Sequence, residues 1–148
     1  MIDDKDKVIL GALKEDSRKN TKSIAEELLL PRITVHERIK RMMERGIIKK
    51  FTALEDYKQT GLPITAFIFL SFDQTDKEIS QRDLARKIGN LPGVFEVHIM
   101  AGEWDLLIKV RAGSVEEISK MIIDKMRVMG GVGKTVTAMC FETVKEEP

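Results

Sequence analysis

The stretch TVHERIKRMMERGIIKKF, Thr34 to Phe51, carries six cationic residues, Arg38, Lys40, Arg41, Arg45, Lys49 and Lys50, against only Glu37 and Glu44. Val35, Ile39, Met42 and Met43 recur within it at helical spacing, and Gly46 is placed to stop the helix. The pattern predicts a helix from about Arg32 to Arg45. At about 100° per residue, the four apolar side chains form one stripe, Arg38, Arg41 and Arg45 line its flank, and His36, Glu37 and Lys40 point outward. One side of this helix is built for burial and the other for chemistry.

Two shorter helical patterns precede it. From Asp4 to Lys14, Val8, Ile9, Ala12 and Leu13 share a face. A second helix starts near Thr21 or Ser23, where Ser23 and Glu26 have capping-box spacing and Ile24, Ala25 and Leu28 form the apolar side. Pro31 ends it. A helix, a short turn and a second helix with a basic flank make a helix-turn-helix, whose second helix enters the major groove with its N-terminal residues against base edges. On that reading Arg32, Ile33, His36 and Glu37 face bases, Arg38, Lys40, Arg41 and Arg45 face phosphates, and Thr34 belongs to the same DNA-binding set. The alternative is a three-helix bundle whose basic face is merely solvated.

Beyond Gly46, IIKKFTALEDYKQTGLP reads as a short strand-like run and a linker, which puts a domain boundary near residue 60. The expected division is 1–60 for a winged-type helix-turn-helix domain and 61–148 for a second domain. In the second part the order is strand ITAFIFLSFD, helix EISQRDLARKIGNL, strand VFEVHIMAG, strand WDLLIKVRAG, helix SVEEISKMIIDKMRVM and strand KTVTAMCFETV. This βαββαβ order is ferredoxin-like, one antiparallel sheet with both helices on one face, so the whole chain is α+β. LPGV at Leu91–Val94 and GGV at Gly130–Val132 occupy equivalent places between a helix and the next strand. Phe67, Phe69 and Val97 are expected on the sheet face that the helices leave bare, which predicts a second chain packed there and a homodimer.

Composition narrows the function classes. The 148 residues are 43% hydrophobic and 33% charged, as in a globular protein, and no apolar run approaches the ~20 residues of a membrane span. The N-terminal MIDDKDKV is charged where a signal peptide needs an apolar core, so a cytoplasmic location is expected. The net charge of +1 conceals +3 over residues 1–60 and −2 over the rest, with +5 in Pro31–Lys50 alone, seven cations against two anions. A local basic patch of this kind suits a polyanionic partner. Cys140 excludes an internal disulfide and reads as a small buried hydrophobe; with it, His36 and His98 offer no metal site, and no cofactor motif is present. GGVGKT resembles the end of a P-loop, but the first glycine of that motif would fall on Val128, and the segment follows a helix instead of a strand.

Taken together, IDDKDKVILGALKEDSR, IAEEL and TVHERIKRMMERGIIKKFTA, followed by LPGVFEVHIMAGEWDLLIKV and GGVGKTVTAM, resemble the Lrp/AsnC family of feast/famine transcription regulators over nearly the whole chain. The resemblance implies a non-enzymatic, sequence-specific regulator of double-stranded DNA that forms dimers and, by stacking, tetramers or octamers. It also implies an amino-acid effector held by the loop between the two central strands, here GEWD, with Gly102, Trp104 and Asp105 joined by Thr135 and Thr137. Asp105 would pair with an ammonium, and loop N–H groups or the threonine hydroxyls with a carboxylate. The other reading of GEWD is a tight turn with Trp104 anchoring the core and Asp105 satisfying turn amides. Two family-like relatives remain as alternatives. One is a sirohaem decarboxylase needing a basic pocket around His98, itself otherwise expected to be a partly buried histidine bonded to backbone. The other is a stand-alone amino-acid sensor. The chain departs from the family's pattern at Leu29 and Pro31, where Gly and Ser are usual, so the turn is expected to differ locally, with Pro31 as the first residue of the recognition helix.

Overall fold

A computed structural model describes residues 2–146. The chain divides into two compact units that meet at Leu54 and Glu55, ahead of residue 60. Tyr57 belongs to the second unit because its ring lies against Phe95 and Arg111 there.

The first unit contains α1 (Asp4–Glu15), α2 (Thr21–Glu27) and α3 (Arg32–Glu44). Asp3 caps α1 through a reciprocal capping box with Asp6, each side chain accepting from the other's backbone N–H. Asn20, not Ser23, caps α2, its Oδ1 accepting from the Ser23 N–H at 2.9 Å. Ile9, Ala12, Leu13, Ile24, Ala25, Val35 and Met42 form the core, with Leu28, Ile39 and Ile47 packed at its rim. Two expectations of the apolar stripes fail here. Val8 and Met43 are both exposed, while Asp6 is buried. The strand-like run after Gly46 forms no strand, so no wing strand is present among the described residues.

The turn between α2 and α3 keeps the left-handed conformation without a glycine. Leu29 itself adopts φ 51°, with its side chain almost fully exposed, and Leu30 N–H closes on the Ala25 carbonyl at 2.9 Å. The turn therefore does not rearrange around the larger residue; the strain is held at Leu29. Pro31 stands at the N-cap of α3, one position earlier than expected, and offers no side-chain acceptor. Replacing Leu29 by Gly removes the Cβ clash and no packing, so Leu29→Gly is expected to stabilise the protein by about 0.5–1 kcal/mol in chemical denaturation. An unchanged or lower midpoint would contradict the strain.

The second unit holds β1 (Ile64–Phe72), α4 (Gln81–Gly89), β2 (Val94–Ile99), β3 (Leu106–Ala112), α5 (Val115–Lys120), which continues as a π-helical turn over Met121–Met126, and β4 (Val132–Cys140). The sheet is antiparallel in the order β2-β3-β1-β4. Ala66, Ile68 and Leu70 of β1 and Leu106, Ile108 and Val110 of β3 meet Leu84 and Ile88 of α4 and Ile118, Ile122 and Met126 on the helix-covered side. Gly93 and Gly131, in the two equivalent turns, both adopt positive φ, 83° and 81°. A Cβ would lie 2.9 Å from the Arg111 carbonyl oxygen at Gly93 and 2.7 Å from the Phe72 ring at Gly131. The internal echo is thus two turns that require glycine for the same reason.

Residues directly paired across strands share a face. Phe67 pairs with Lys109 and Ala138, and Phe69 with Leu107 and Val136, so these lie on the face without helices. Val97 does not join them: it pairs with Ile108 and packs into the helix-side core. The last strand stops at Cys140 instead of Val144, and Phe141 and Val144 are exposed. Cys140 is half-buried, its thiol directed to the Glu142 carbonyl at 3.3 Å.

Candidate nucleic-acid interface and effector loop

Burial of Val35 and Met42 orients α3, leaving Arg32, Ile33, His36, Glu37, Lys40, Arg41 and Arg45 exposed and Thr34 half-buried. Ile33 shows 74% of its surface to solvent at the first turn of the helix. Lys49 and Lys50, just beyond α3, are exposed as well.

Arg38 is the exception among the basic residues. Its Nη1 donates to Asp3 Oδ2 at 2.6 Å and to Asp6 Oδ1 at 2.7 Å, and its side chain is 18% exposed. Arg41 reaches the same Asp6 oxygen at 3.3 Å but remains half exposed. The expectation that Arg38 lines the phosphate path is therefore corrected: its charge is neutralised within the fold, and it ties α3 to α1. The Arg38 guanidinium holds the Asp3 carboxyl below its ordinary value. For Asp6, burial pushes the value up, but the bonds from Arg38 and the Asp3 N–H outweigh it, and the net shift is downward. Sequence reading missed this clamp, although Asp3 and Asp6 stand at capping-box spacing where they were visible.

The loop between β2 and β3 places its residues on two different faces. Trp104 lies 6.1 Å from Phe69, ring to ring, with Lys134 Nζ 5.5 Å from its ring centre, so it sits toward the open face and does not anchor the helix-side core. Asp105 Oδ2 accepts the Phe72 N–H at 2.7 Å, and the Asp105 N–H donates to the Leu70 carbonyl at 3.0 Å. Its carboxylate thus has a structural task, but at an amide of β1 and not at the turn amides that the turn reading of GEWD expects. Gly102 takes φ 134°. Thr135 and Thr137 pair with Leu70 and Ile68 and so lie on the helix-covered face, where Arg127 Nη2 donates to Thr135 Oγ1 at 2.9 Å. Within one chain, Trp104 and the two threonines are not brought together.

His98 is exposed, its Nε2 3.0 Å from Glu96 Oε2, a carboxylate partner in place of the expected backbone one. That acidic neighbour does not make the basic pocket a tetrapyrrole decarboxylase would need. No group of three or more potential metal ligands occurs among the described residues, and none of their helices is long and apolar enough to cross a membrane.

Comparison with known proteins fits both units. Residues 65–148 match the Lrp/AsnC ligand binding domain, and residues 2–49 match a winged helix-turn-helix DNA-binding pattern. The chain belongs to the Lrp/AsnC family of transcription regulators. An HTH-type transcriptional regulator of Pyrococcus furiosus is 48% identical over 99% of this chain and 97% of its own length. The regulator FL11 of the same organism is 33% identical, covering 99% and 93%. Among solved structures, a transcriptional regulator of Neisseria meningitidis in complex with L-Met superposes with a TM-score of 0.89 at 24% identity, over 99% of this chain and 94% of that one. In this Lrp/AsnC chain the basic helix α3 is the part of the helix-turn-helix unit that presents polar and cationic side chains to solvent in a row.

Proposed function

We propose that this Lrp/AsnC regulator reads its operator with the first two turns of α3, Arg32, Ile33, Thr34, His36 and Glu37, while Lys40, Arg41 and Arg45 contact phosphates. The observation that carries the reading is the exposure of all these side chains but the half-buried Thr34 around a helix whose other face, Val35 and Met42, is fully buried. Base-edge contacts are worth about 1–3 kcal/mol of discrimination each, whereas phosphate contacts weaken all sequences alike when removed. Selection of binding sites from a random pool tests the assignment: Arg32→Ala and His36→Ala are expected to relax the preferred sequence at one or two positions, and Lys40→Ala to leave it unchanged. An unaltered preference in both former variants would remove α3 from the groove.

Pairing of two chains through the open sheet face is part of the same reading, because Phe67, Phe69 and Leu107 are only half-buried there and Phe95 and Val136 are exposed. A two-fold dimer would then bind half-sites about 34 Å apart, one helical turn, or a multiple of it. The dimer does not depend on higher tetramer or octamer stacking.

An amino-acid effector at Gly102, Trp104 and Asp105, with Thr135 and Thr137 supplied by another chain, is the regulatory half of the proposal. The L-Met complex of the Neisseria relative supports the ligand class. Trp104, the only tryptophan, reports directly on the loop. Titrating amino acids is expected to shift its fluorescence, and Asp105→Asn is expected to weaken binding by about 1.5–3 kcal/mol while its amide oxygen still accepts from Phe72. Silence of Trp104 across the panel, together with no heat in calorimetry, would leave GEWD as a turn.

A further inference from the structure

Arg111, on the open face of β3, is 4% exposed. Its guanidinium carbon lies 3.7 Å from the centre of the Tyr57 ring and 5.4 Å from that of Phe95. Nη1 donates to Thr65 Oγ1 at 3.1 Å, and Nη2 contacts both carboxylate oxygens of Glu146 at 2.6 Å. Lys109 Nζ donates to Glu146 as well, and to Glu96 Oε1 at 3.0 Å. Arg111 Nε is buried with no hydrogen-bond partner among the described residues.

Glu146 reaches this place from a segment after β4 that has no regular structure and leaves Phe141 and Val144 exposed. Its carboxylate is accordingly gripped chiefly by charge. Lys109 first, then Arg111, hold that carboxyl below its ordinary value. Two cations converge on a single carboxylate, a hydroxyl and two aromatic rings hold the Arg111 guanidinium in place, and one buried donor is left over. This is how proteins recognise a free carboxylate, with a planar guanidinium as the orienting group.

We propose that Lys109 and Arg111, the latter held by Thr65, Tyr57 and Phe95, form a carboxylate-binding site that Glu146 occupies as a tethered ligand, and that a small free carboxylate takes the site when Glu146 is out of it. The site is separate from the GEWD loop and stands whether or not that loop binds an effector. A tethered carboxylate competes at an effective concentration of the order of millimolar, so the free ligand meets a resident competitor in the unmodified chain. Removing the Glu146 charge exposes a desolvated Arg111 that a free carboxylate then satisfies.

Full-length Glu146→Gln protein, titrated with sodium acetate against sodium chloride at equal ionic strength, tests this. Tyr57 is the only tyrosine, and its ring resonances report on Arg111. Acetate, and not chloride, is expected to shift them in the Glu146→Gln protein with an affinity at least about tenfold above that of the unmodified chain, and to raise its melting temperature as any native-state ligand does. Adding Lys109→Gln to that variant is expected to weaken acetate binding. If the folded Glu146→Gln protein responds to acetate no more than to chloride, or if the unmodified chain binds acetate equally well, the cluster is a structural clamp and the site is withdrawn.

Discussion

DNA affinity of this protein is expected to fall by about three orders of magnitude or more between about 50 and 200 mM salt, as for proteins that neutralise six to ten phosphates. Each chain exposes Lys40, Arg41, Arg45, Lys49 and Lys50 on or just after α3, and two chains together provide enough cations for that range. The slope of log affinity against log salt changes by about 0.9 for each phosphate that is no longer neutralised. Lys40→Ala or Arg45→Ala in both chains of a dimer is therefore expected to flatten the slope by about 2. Arg38→Ala is expected to leave it unchanged, because that guanidinium is already neutralised by Asp3 and Asp6. Binding measured by fluorescence anisotropy over a salt series decides between the two sets. Equal affinity at both salt concentrations would mean that the basic flank of α3 is not the DNA surface.

Asp6→Ala is expected to lower the stability of the helix-turn-helix unit by about 2 kcal/mol, short of the 3–5 kcal/mol typical of a broken, fully buried pair because solvent still reaches Arg38. Asp6 is 1% exposed and accepts from both Arg38 and Arg41, so its removal leaves Arg38 facing Asp3 alone. Hydrogen exchange of the amides in α1 and α3 measures the loss. The same carboxylates set an acid limit. Both Asp3 and Asp6 titrate below their ordinary value of 3.8 in the folded state. Their contribution is therefore complete above that value and is lost as pH falls through the lower, folded-state value. Unfolding curves that stay constant through this window would show that the clamp contributes nothing.

The helices and strands were legible because apolar spacing is a local property. Val35 and Met42 at helical spacing, and Ala66, Ile68 and Leu70 in alternation, point to their elements before any contact is known, and all five are buried. Periodicity failed where a partner distant in sequence changed what a position needs. It assigned Val8 inward, where the structure leaves it exposed, and it gave Asp6 no inward place, although the Arg38 guanidinium, 32 residues further on, bonds that carboxylate where it is buried. Alternation marked two faces of β2 without saying which one meets the helices, so Val97 was placed on the wrong side until the register with Ile108 was known. A strand-like run after β4 continued past Cys140 in sequence, but its pairing with β1 ends at Thr65–Cys140.

The candidate site divides the same way. By itself the sequence determined the order of elements, the basic helix α3, the glycine turns at Gly93 and Gly131 and the likeness to the Lrp/AsnC family, since each rests on residue type at fixed local spacing. Only the tertiary structure decided that Leu29 bears the left-handed turn, that Arg38 is paired with Asp3 and Asp6, that Asp105 bonds Phe72, and that Trp104 and Thr135 lie on opposite faces of the sheet. Charge and hydrogen bonding act through space, so the role of an ionic side chain depends on which opposite charge folding brings within reach, and that is not written in its neighbours along the chain.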